Sequence, residues 1–598
     1  MMMMKKNKQC AAALLLGLGA ALSSPLTAAA AEPASKAGAQ DANAAFAALS
    51  DRALAHWTSV GPVNATFLGE HRHDGEIDDL SAAGRAKALA GSQRLLAELD
   101  RIDPASLSRQ NQIDAALLRN QLRYDVWGWQ VSQDWAWDPQ VYGQLAGNAL
   151  YNLMAREFAP LPQRLKSATA RMEKLPRLFA QARANLDPAR VPRIHAETVA
   201  KQNGGILSIV ETFITPNLDA LQGADRARLV AAIATLKQAV AEQQAWLDKT
   251  LVPNAKGDFR IGAKLYDQKL QFALMSALSR SEIRARAEAE LKRVRIEMYG
   301  VARTLVKDLP AEPTPEQQQA GIEAALELAY ADKPKRDEIL ADATKTLAQS
   351  RQFLIDKDLI SVPSTPVRII TMPEFQQGVA LAYCDSPGPL DKDMPTFYAV
   401  SPIPKDWTDA QVNSFLRENN SRMIHMLSIH EGIPGHYLEG AFSARFPSVL
   451  RATLRSGLFA EGWAVYTERM MRESGYLNGD PLFHLVQLKF YLRTIANAIL
   501  DQGVHVDGWT REQAMDLMMR QTFQQEREAA GKWVRAQLTS AQLPTYFVGV
   551  SEQLDMREAV RKAWGPKFTL KAYHDAVLSY GAPPVRFVRE MMLDEPIR

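Results

Sequence analysis

Two short stretches in the C-terminal half of the chain combine histidine and glutamate in a pattern suited to hydrolysis. The first holds His430, Glu431 and His436, and Glu461 follows twenty-five residues after the second histidine. Catalytic zinc commonly takes two imidazoles and a carboxylate from the protein and keeps a fourth position for water. A neighbouring carboxylate can then accept a proton from that water. These residues predict a zinc site with His430, His436 and Glu461 as ligands and Glu431 as general base.

The spacing of the two histidines differs from that of the common helical zinc motif. There the imidazoles lie four residues apart, on one helix face. Here they lie six apart, and six steps of about 100° turn the second side chain roughly 120° from the first. Pro434 and Gly435 stand between them. Because proline lacks an N–H and glycine tolerates unusual backbone angles, the pair predicts a bulge that returns His436 to the metal. The alternative is a helix end followed by an unrelated helix.

The same stretches, His430 to His436 and Ala460 to Glu468, resemble the bacterial domain of unknown function 885 family. Further segments that carry the resemblance lie downstream: Asp501 to Thr510, Pro544 to Gly549 and Tyr573 to Pro584. That family is similar in turn to helical zinc peptidases of the angiotensin-converting enzyme and thimet oligopeptidase type. The resemblance, which runs from near Phe67 to the C terminus, implies a large two-lobed metallopeptidase-like fold with a deep cleft and one zinc ion per chain. This sequence differs from those peptidases in having two additional residues between the histidines.

Peptide hydrolysis also needs a hydrogen-bond donor for the oxyanion that forms at the scissile carbonyl. The related peptidases use a tyrosine well downstream of the glutamate ligand, and Tyr546 fits that place. His505 and His574 are rival donors or substrate-binding residues. Arg535 is a candidate for binding a substrate carboxylate.

Two further glutamates lie within reach of the predicted ligands along the chain. Glu439, three residues after His436, is placed either to orient a ligand imidazole or to serve as an ordinary solvated or packing carboxylate. Glu468, seven residues after Glu461, lies on roughly the same helix face. Its carboxylate either contacts a ligand residue on the side away from the metal or faces solvent.

The surrounding sequence predicts a mainly α protein. Apolar residues recur at spacings of three and four from about residue 45 onward, and capping-box patterns begin several helices, including one at Thr408 that we expect to carry the metal motif. A composition change near Lys256 predicts lobes of approximately 45–255 and 256–598.

The exception to helix lies just before the motif, where short β-type runs predict a small antiparallel sheet: Val367–Ile370, Val379–Tyr383 and Phe397–Val400. One strand either aligns an extended substrate, by analogy with helical zinc peptidases, or belongs to a structural hairpin.

Composition narrows the possible partners and compartments. The 598 residues are 47% hydrophobic and 23% charged, with a formal net charge of +3. No basic patch indicates nucleic-acid binding. If the N-terminal segment is removed, Cys384 is the one cysteine left, which excludes an internal disulfide. We expect Cys384 to be a buried bystander rather than a nucleophile.

Residues 1–31 have the pattern of a secretory signal peptide. Lysines precede an apolar run from Ala11 to Leu22, and small residues suited to cleavage follow at Thr27–Ala31. The run is shorter than the roughly 20 residues that a membrane span needs. Cys10 precedes it, which is the wrong place for a lipid-modified cysteine. The pattern predicts a periplasmic or secreted protein with no stable membrane insertion after signal removal; a retained N-terminal anchor is the alternative.

The residues and the resemblance together predict a zinc metallopeptidase that acts on short peptides. A zinc amidase for a non-peptide amide would use the same site chemistry. A helical binding protein with a purely structural metal is the alternative outside enzymes. It would need a closed coordination shell and no general base, and Glu431 argues against it.

Overall fold

Helices form most of the structure, a computed structural model that describes residues 32–365, 367–373, 376–377 and 382–598. The first eleven α-helices precede Lys256: α1 (Glu32–Val60), α2 (Pro62–Leu68), α3 (Ala82–Leu99), α4 (Arg109–Trp127), α5 (Asp134–Trp137), α6 (Gln140–Met154), α7 (Leu161–Asn185), α8 (Arg193–Gln202), α9 (Gly205–Ile209), α10 (Gly223–Trp246) and α11 (Val252–Asn254). The mainly α prediction is confirmed.

Fifteen more α-helices follow in the described residues. They are α12 (Gly262–Leu274), α13 (Arg280–Leu305), α14 (Pro315–Ala331), α15 (Ile339–Asp356), α16 (Asp409–Glu418), α17 (Ser421–Leu427), α18 (His436–Ser443), α19 (Val449–Thr453), α20 (Gly457–Glu473), α21 (Pro481–His505), α22 (Arg511–Met515), α23 (Glu526–Leu538), α24 (Pro544–Trp564), α25 (Leu570–Leu578) and α26 (Val585–Met592).

The two largest groups of packed apolar side chains lie on either side of the predicted lobe boundary. One includes residues from Val63 to Ala255, and the other includes residues from Tyr266 to Val588. A smaller group joins α1, α3 and α4 to Leu450 in α19, so the first helices also pack on the C-terminal half. The division into two lobes that share a cleft stays a prediction.

The capping box at Thr408 is present, but it does not start the helix that carries the metal motif. Thr408 and Gln411 form both reciprocal hydrogen bonds of the box. The helix that they begin, α16, ends at Glu418. The Asn420 side chain accepts hydrogen bonds from the backbone N–H groups of Arg422 and Met423 and so caps a new helix, α17. The prediction of one continuous helix was wrong because the local Asn420 cap competes with helical continuation.

The sheet before the motif is mixed rather than antiparallel. Its strands are β1 (Val367–Thr371), β2 (Ala382–Asp385) and β3 (Thr396–Val400), in the order β1-β3-β2. β2 pairs with β3 antiparallel, whereas β1 pairs with β3 in parallel on its other edge. Short apolar runs specify neither strand order nor direction, which explains the error. Residues 379–381, which we expected in the second strand, lie outside the described residues.

Two glycines bring the second half of the site together. A Cβ atom on Gly462 in α20 would lie 2.4 Å from the carbonyl carbon of Gly549 in α24. Helix backbones can approach this closely only where no side chain intervenes. The contact holds the helix that carries Glu461 directly against the helix that carries Tyr546.

No helix among the described residues is long and apolar enough to cross a membrane. The predicted signal peptide, residues 1–31, lies outside the described residues.

Candidate metal centre

The chain reverses sharply between the two histidines of the motif. Helix α17 continues into a π-helical turn, Ser428–Gly432, in which the Ile433 N–H donates to the Ser428 carbonyl at 3.1 Å. Ile433 is extended, and α18 begins at His436. The predicted bulge within one helix was therefore wrong in position: the π turn precedes Pro434, and the helix ends. The new helix is nevertheless not an unrelated one, because it starts at the second imidazole.

Backbone contacts hold this reversal in place. The Gly435 N–H donates to the Ile429 carbonyl at 2.9 Å, and a Cβ atom on Gly435 would lie 1.9 Å from the His430 carbonyl oxygen. Only glycine permits such an approach. The indole N–H of Trp463 donates to the Pro434 carbonyl at 2.8 Å, which ties the turn to α20. As a result the His430 and His436 rings lie 4.8 Å apart.

The three predicted ligands converge on one point. Oε2 of Glu461 lies 3.6 Å from Nε2 of His430 and 3.4 Å from Nε2 of His436, and the potential ligand atoms all lie within 4.8 Å of one another. Tetrahedral zinc with bonds near 2.1 Å would hold its ligand atoms about 3.4 Å apart. Oε2 of Glu461 is buried and has no hydrogen-bond partner, a costly state that a cation would relieve. The residues present therefore fit a metal ion.

Glu468 forms a hydrogen bond with the ring nitrogen of His430 that does not face Glu461. Its Oε1 accepts a hydrogen bond from Nδ1 of His430 at 2.6 Å, and its side chain is fully buried. A proton on Nδ1 leaves Nε2 free to bind a metal, which is the usual arrangement for a histidine ligand. Glu439, the other carboxylate considered for this purpose, instead forms an ion pair with Arg455.

Replacing Glu468 by glutamine should weaken zinc binding by about 10–100-fold, because a neutral amide holds the imidazole orientation and basicity less well. Titration of the metal-free protein against a competing zinc chelator measures this change. Glu473→Gln, at the end of the same helix, is the control. An unchanged zinc affinity in Glu468→Gln would show that the Glu468 carboxylate does not support the metal.

The electrostatics of the cluster favour positive charge at its centre. Burial lowers the pKa of His430, but the nearby Glu461 carboxylate and the hydrogen bond to Glu468 outweigh it and leave that pKa well above the ordinary value. Burial raises the pKa of Glu461, yet the two imidazoles outweigh it and leave that pKa far below the ordinary value. Carboxylates that stabilise a proton on the neighbouring imidazoles would also stabilise a divalent cation bound in its place.

Glu431 lies beside this cluster and faces the same cavity. The cavity measures ≈ 380 Å³ and is lined by both histidines, Glu431 and Glu461. The backbone of Cys384 in β2 is near enough to lower the pKa of Glu431 slightly. Burial raises the pKa of Glu431, and the neighbouring imidazoles oppose that rise. The carboxylate is thus held at the cavity wall, next to the point where the ligands converge.

Tyr546 also lines the cavity. Its ring stacks on His430, with centroids 6.4 Å apart and planes 18° apart. Its hydroxyl accepts a hydrogen bond from Nη2 of Arg535 at 3.2 Å, so its own proton is free to point into the cavity. Arg535 lines the cavity as well. Both residues therefore line the cavity that holds the metal group, and their predicted roles as oxyanion donor and carboxylate-binding residue stay predictions.

His505 and His574 are not among the residues that line this cavity, so the structure does not bring them together with the metal group. Nε2 of His505 donates to the carbonyls of Ala536 and Thr539, each at 2.8 Å, which anchors the end of α23. Nδ1 of His574 lies 2.8 Å from the Leu359 carbonyl, and its Nε2 lies 2.7 Å from the Tyr466 hydroxyl. Burial lowers the pKa of His574 to about 4, so this ring is neutral and structural.

Several cavity residues were not identified from the sequence. They are Arg455 just before α20, Phe490, Arg493 and Asn497 in α21, and Lys532 in α23. One signal could have found two of them. Helix α21 is almost wholly buried, yet a polar residue occupies every fourth position, at Lys489, Arg493, Asn497, Asp501 and His505. Such a stripe on a buried helix indicates ion pairs or a polar cavity.

Fold and site together define a mainly helical protein with a candidate metal centre at the wall of an internal cavity. Residues 62–592 match the family described as bacterial protein of unknown function (DUF885), and the chain belongs to that family. A solved structure from Shewanella oneidensis, described as a presumed lipoprotein of unknown function, is 34% identical, with a TM-score of 0.76, covering 92% of this chain and 99% of its own. A presumed lipoprotein from Colwellia psychrerythraea shares the fold at 18% identity, with a TM-score of 0.72, covering 94% of this chain and 100% of its own. No functionally curated protein matches the chain.

Proposed function

We propose that this chain is a zinc metallopeptidase that hydrolyses peptide bonds in short peptides. The observation that carries the proposal is the convergence of His430, His436 and Glu461 beside a second acidic side chain, Glu431, at a cavity wall. A purely structural metal has no use for a cavity or for a carboxylate that faces it.

Each residue of the candidate site has a defined part in this reaction. His430, His436 and Glu461 would hold the ion, and Glu468 orients His430. When bound, zinc supplies Lewis-acid chemistry, which polarises a carbonyl and makes water more acidic.

Glu431 accepts the proton of the attacking water and delivers it to the leaving amine. The Tyr546 hydroxyl donates a hydrogen bond to the developing oxyanion. These two groups line the same cavity, so a peptide carbonyl bound in it has both within one site.

The cavity surroundings favour an extended peptide of limited length. β2 is an edge strand of the described sheet, and Ala382, Tyr383 and Cys384 from it line the cavity. Unpaired backbone groups on an edge strand can align a peptide by hydrogen bonding. A cavity of ≈ 380 Å³ has room for a short peptide segment but not for a folded protein.

The proposal includes a location outside the cytoplasm. The solved relatives from Shewanella and Colwellia are described as presumed lipoproteins, and the pattern of residues 1–31 predicts a secretory signal. A periplasmic or secreted peptidase is consistent with both.

Metal removal tests the proposed function directly. The purified protein should contain about one zinc per chain and hydrolyse members of a mixed peptide library. Dialysis against a chelator should abolish hydrolysis, and added zinc should restore it. Simple non-peptide amides in the same assay separate a peptidase from an amidase. Full hydrolysis by metal-free protein would overturn the proposal.

A further inference from the structure

Three cations line the cavity on its α21 and α23 side: Arg493, Lys532 and Arg535. A cavity wall that carries this much positive charge beside a metal site calls for an explanation. Either each cation is neutralised by the protein, or part of the charge is left for a ligand.

The protein neutralises one of the three cations. Arg493 forms an ion pair with Glu528 at 2.7 Å. Arg535 bonds to neutral groups, the Gln542 side-chain oxygen at 3.0 Å and the Tyr546 hydroxyl at 3.2 Å. Lys532 is 4% exposed, and within the described residues no carboxylate lies within ion-pair distance of it.

Lys532 is therefore a buried amine with unused hydrogen-bonding capacity. Burial lowers its pKa well below the ordinary value, and Arg493 and Arg535 lower that pKa further, against the attraction of Glu528 and Glu461. A buried charge of this kind is costly unless a counter-ion joins it. Because its side chain lines the cavity, that counter-ion can be a ligand.

The charge is distributed unevenly about the candidate metal centre. On one side the same three cations also line an adjoining cavity of ≈ 540 Å³. On the other side a cavity of ≈ 810 Å³ adjoins the site through Tyr383 and Arg455, among others. Its shared cation, Arg455, is already paired with Glu439. Among the described residues, a substrate that crosses the metal site thus meets cations without a carboxylate partner only on the α21 and α23 side.

We propose that Lys532 and Arg535 form a carboxylate-binding subsite that receives the free C-terminal carboxylate of the peptide on the leaving-group side of the scissile bond. This inference rests on the proposed function and names its substrate class: peptides cleaved near a free C terminus. An acidic side chain carries the same chemistry, and the experiment below distinguishes the two sources. Arg535 would then contact both the substrate carboxylate and Tyr546.

Calorimetric binding of matched probes tests the subsite without relying on catalysis. The probes are N-acetyl-Ala-Ala as the free acid, the same peptide as its C-terminal amide, and N-acetyl-Ala-Glu as its C-terminal amide. Zinc-loaded protein should bind the free acid at least about tenfold more tightly than the alanine amide, since one charged hydrogen-bonded pair is lost. Equal binding of all three probes would overturn the proposal.

Variants locate the subsite. Lys532→Met should remove most of the preference for the free acid, whereas Lys562→Gln, an exposed cation on α24, should retain it. Arg535→Gln serves as a second variant if Lys532→Met fails to fold by circular dichroism. A preference that survives in the folded variants would overturn the assignment to these residues. Equally tight binding of the glutamate amide would support a carboxylate subsite but overturn the C-terminal assignment.

Hydrolysis of the same series without the acetyl group separates this inference from the proposed function. If acids and amides bind equally and are cleaved at equal, zinc-dependent rates, the result supports the peptidase and contradicts the subsite. A binding preference for the acid without cleavage of any peptide leaves the subsite standing and removes the peptidase.

Discussion

Replacing Glu431 by glutamine is expected to lower kcat for peptide hydrolysis by about 10²–10⁴-fold, the usual contribution of a positioned general base. Glutamine has nearly the same shape but cannot accept the proton of the attacking water. Because Glu431 is not one of the three residues whose ligand atoms converge, the zinc content should stay near one ion per chain. Steady-state kinetics on one peptide, together with metal analysis of the same preparation, measures both quantities.

The control for this substitution is Glu558→Gln, which changes an exposed carboxylate on α24 and should leave kcat unchanged. KM should change little in Glu431→Gln, since Glu431 acts on the proton rather than on substrate binding. Retained kcat would remove Glu431 from the mechanism. A loss of zinc together with kcat would instead show that Glu431 helps to hold the metal.

Removing a ligand should have the larger effect on the metal itself. Glu461→Ala and His430→Ala each leave two of the three protein ligands, and both metal binding and hydrolysis are expected to fall below detection. Zinc should raise the melting temperature of the wild-type protein, because a ligand that binds only the folded state stabilises it. That increase should disappear in both variants.

Metal analysis and a melting curve with and without zinc check this second prediction. Glu439→Gln is a demanding control, because Glu439 lies on the helix that begins at His436 yet pairs with Arg455. It should keep its zinc. Full zinc occupancy in both Glu461→Ala and His430→Ala would overturn the ligand assignment.

The success of the sequence-based predictions varied with how local each interaction is. Capping boxes at Ser279, Thr314, Thr408 and Thr510 form as their local patterns predicted, because the partners lie within one turn of each other. The helix after Thr408 was predicted too long, since the Asn420 cap was overlooked. The strands were found near their predicted places, but their pairing was not, because strand order depends on contacts between distant residues.

The candidate site shows the same division. Residue types and the family resemblance selected the members of the metal group and Tyr546, and the structure brings them together. They also selected His505 and His574, which the structure places elsewhere. Nothing local in the sequence distinguishes a histidine that faces a cavity from one that donates to a distant carbonyl. Lys532 was missed for the same reason.

By itself, the sequence determined the helical class, the family, and the set of side chains from which a metal centre could be built. Only the tertiary structure decided that the π turn and the close approach at Gly435 bring two imidazoles together despite their six-residue spacing. It also decided, through the contact between Gly462 and Gly549, that Glu461 and Tyr546 face one cavity. The physical reason is that residue type specifies what a side chain can bind, whereas backbone packing between distant segments specifies which side chains meet.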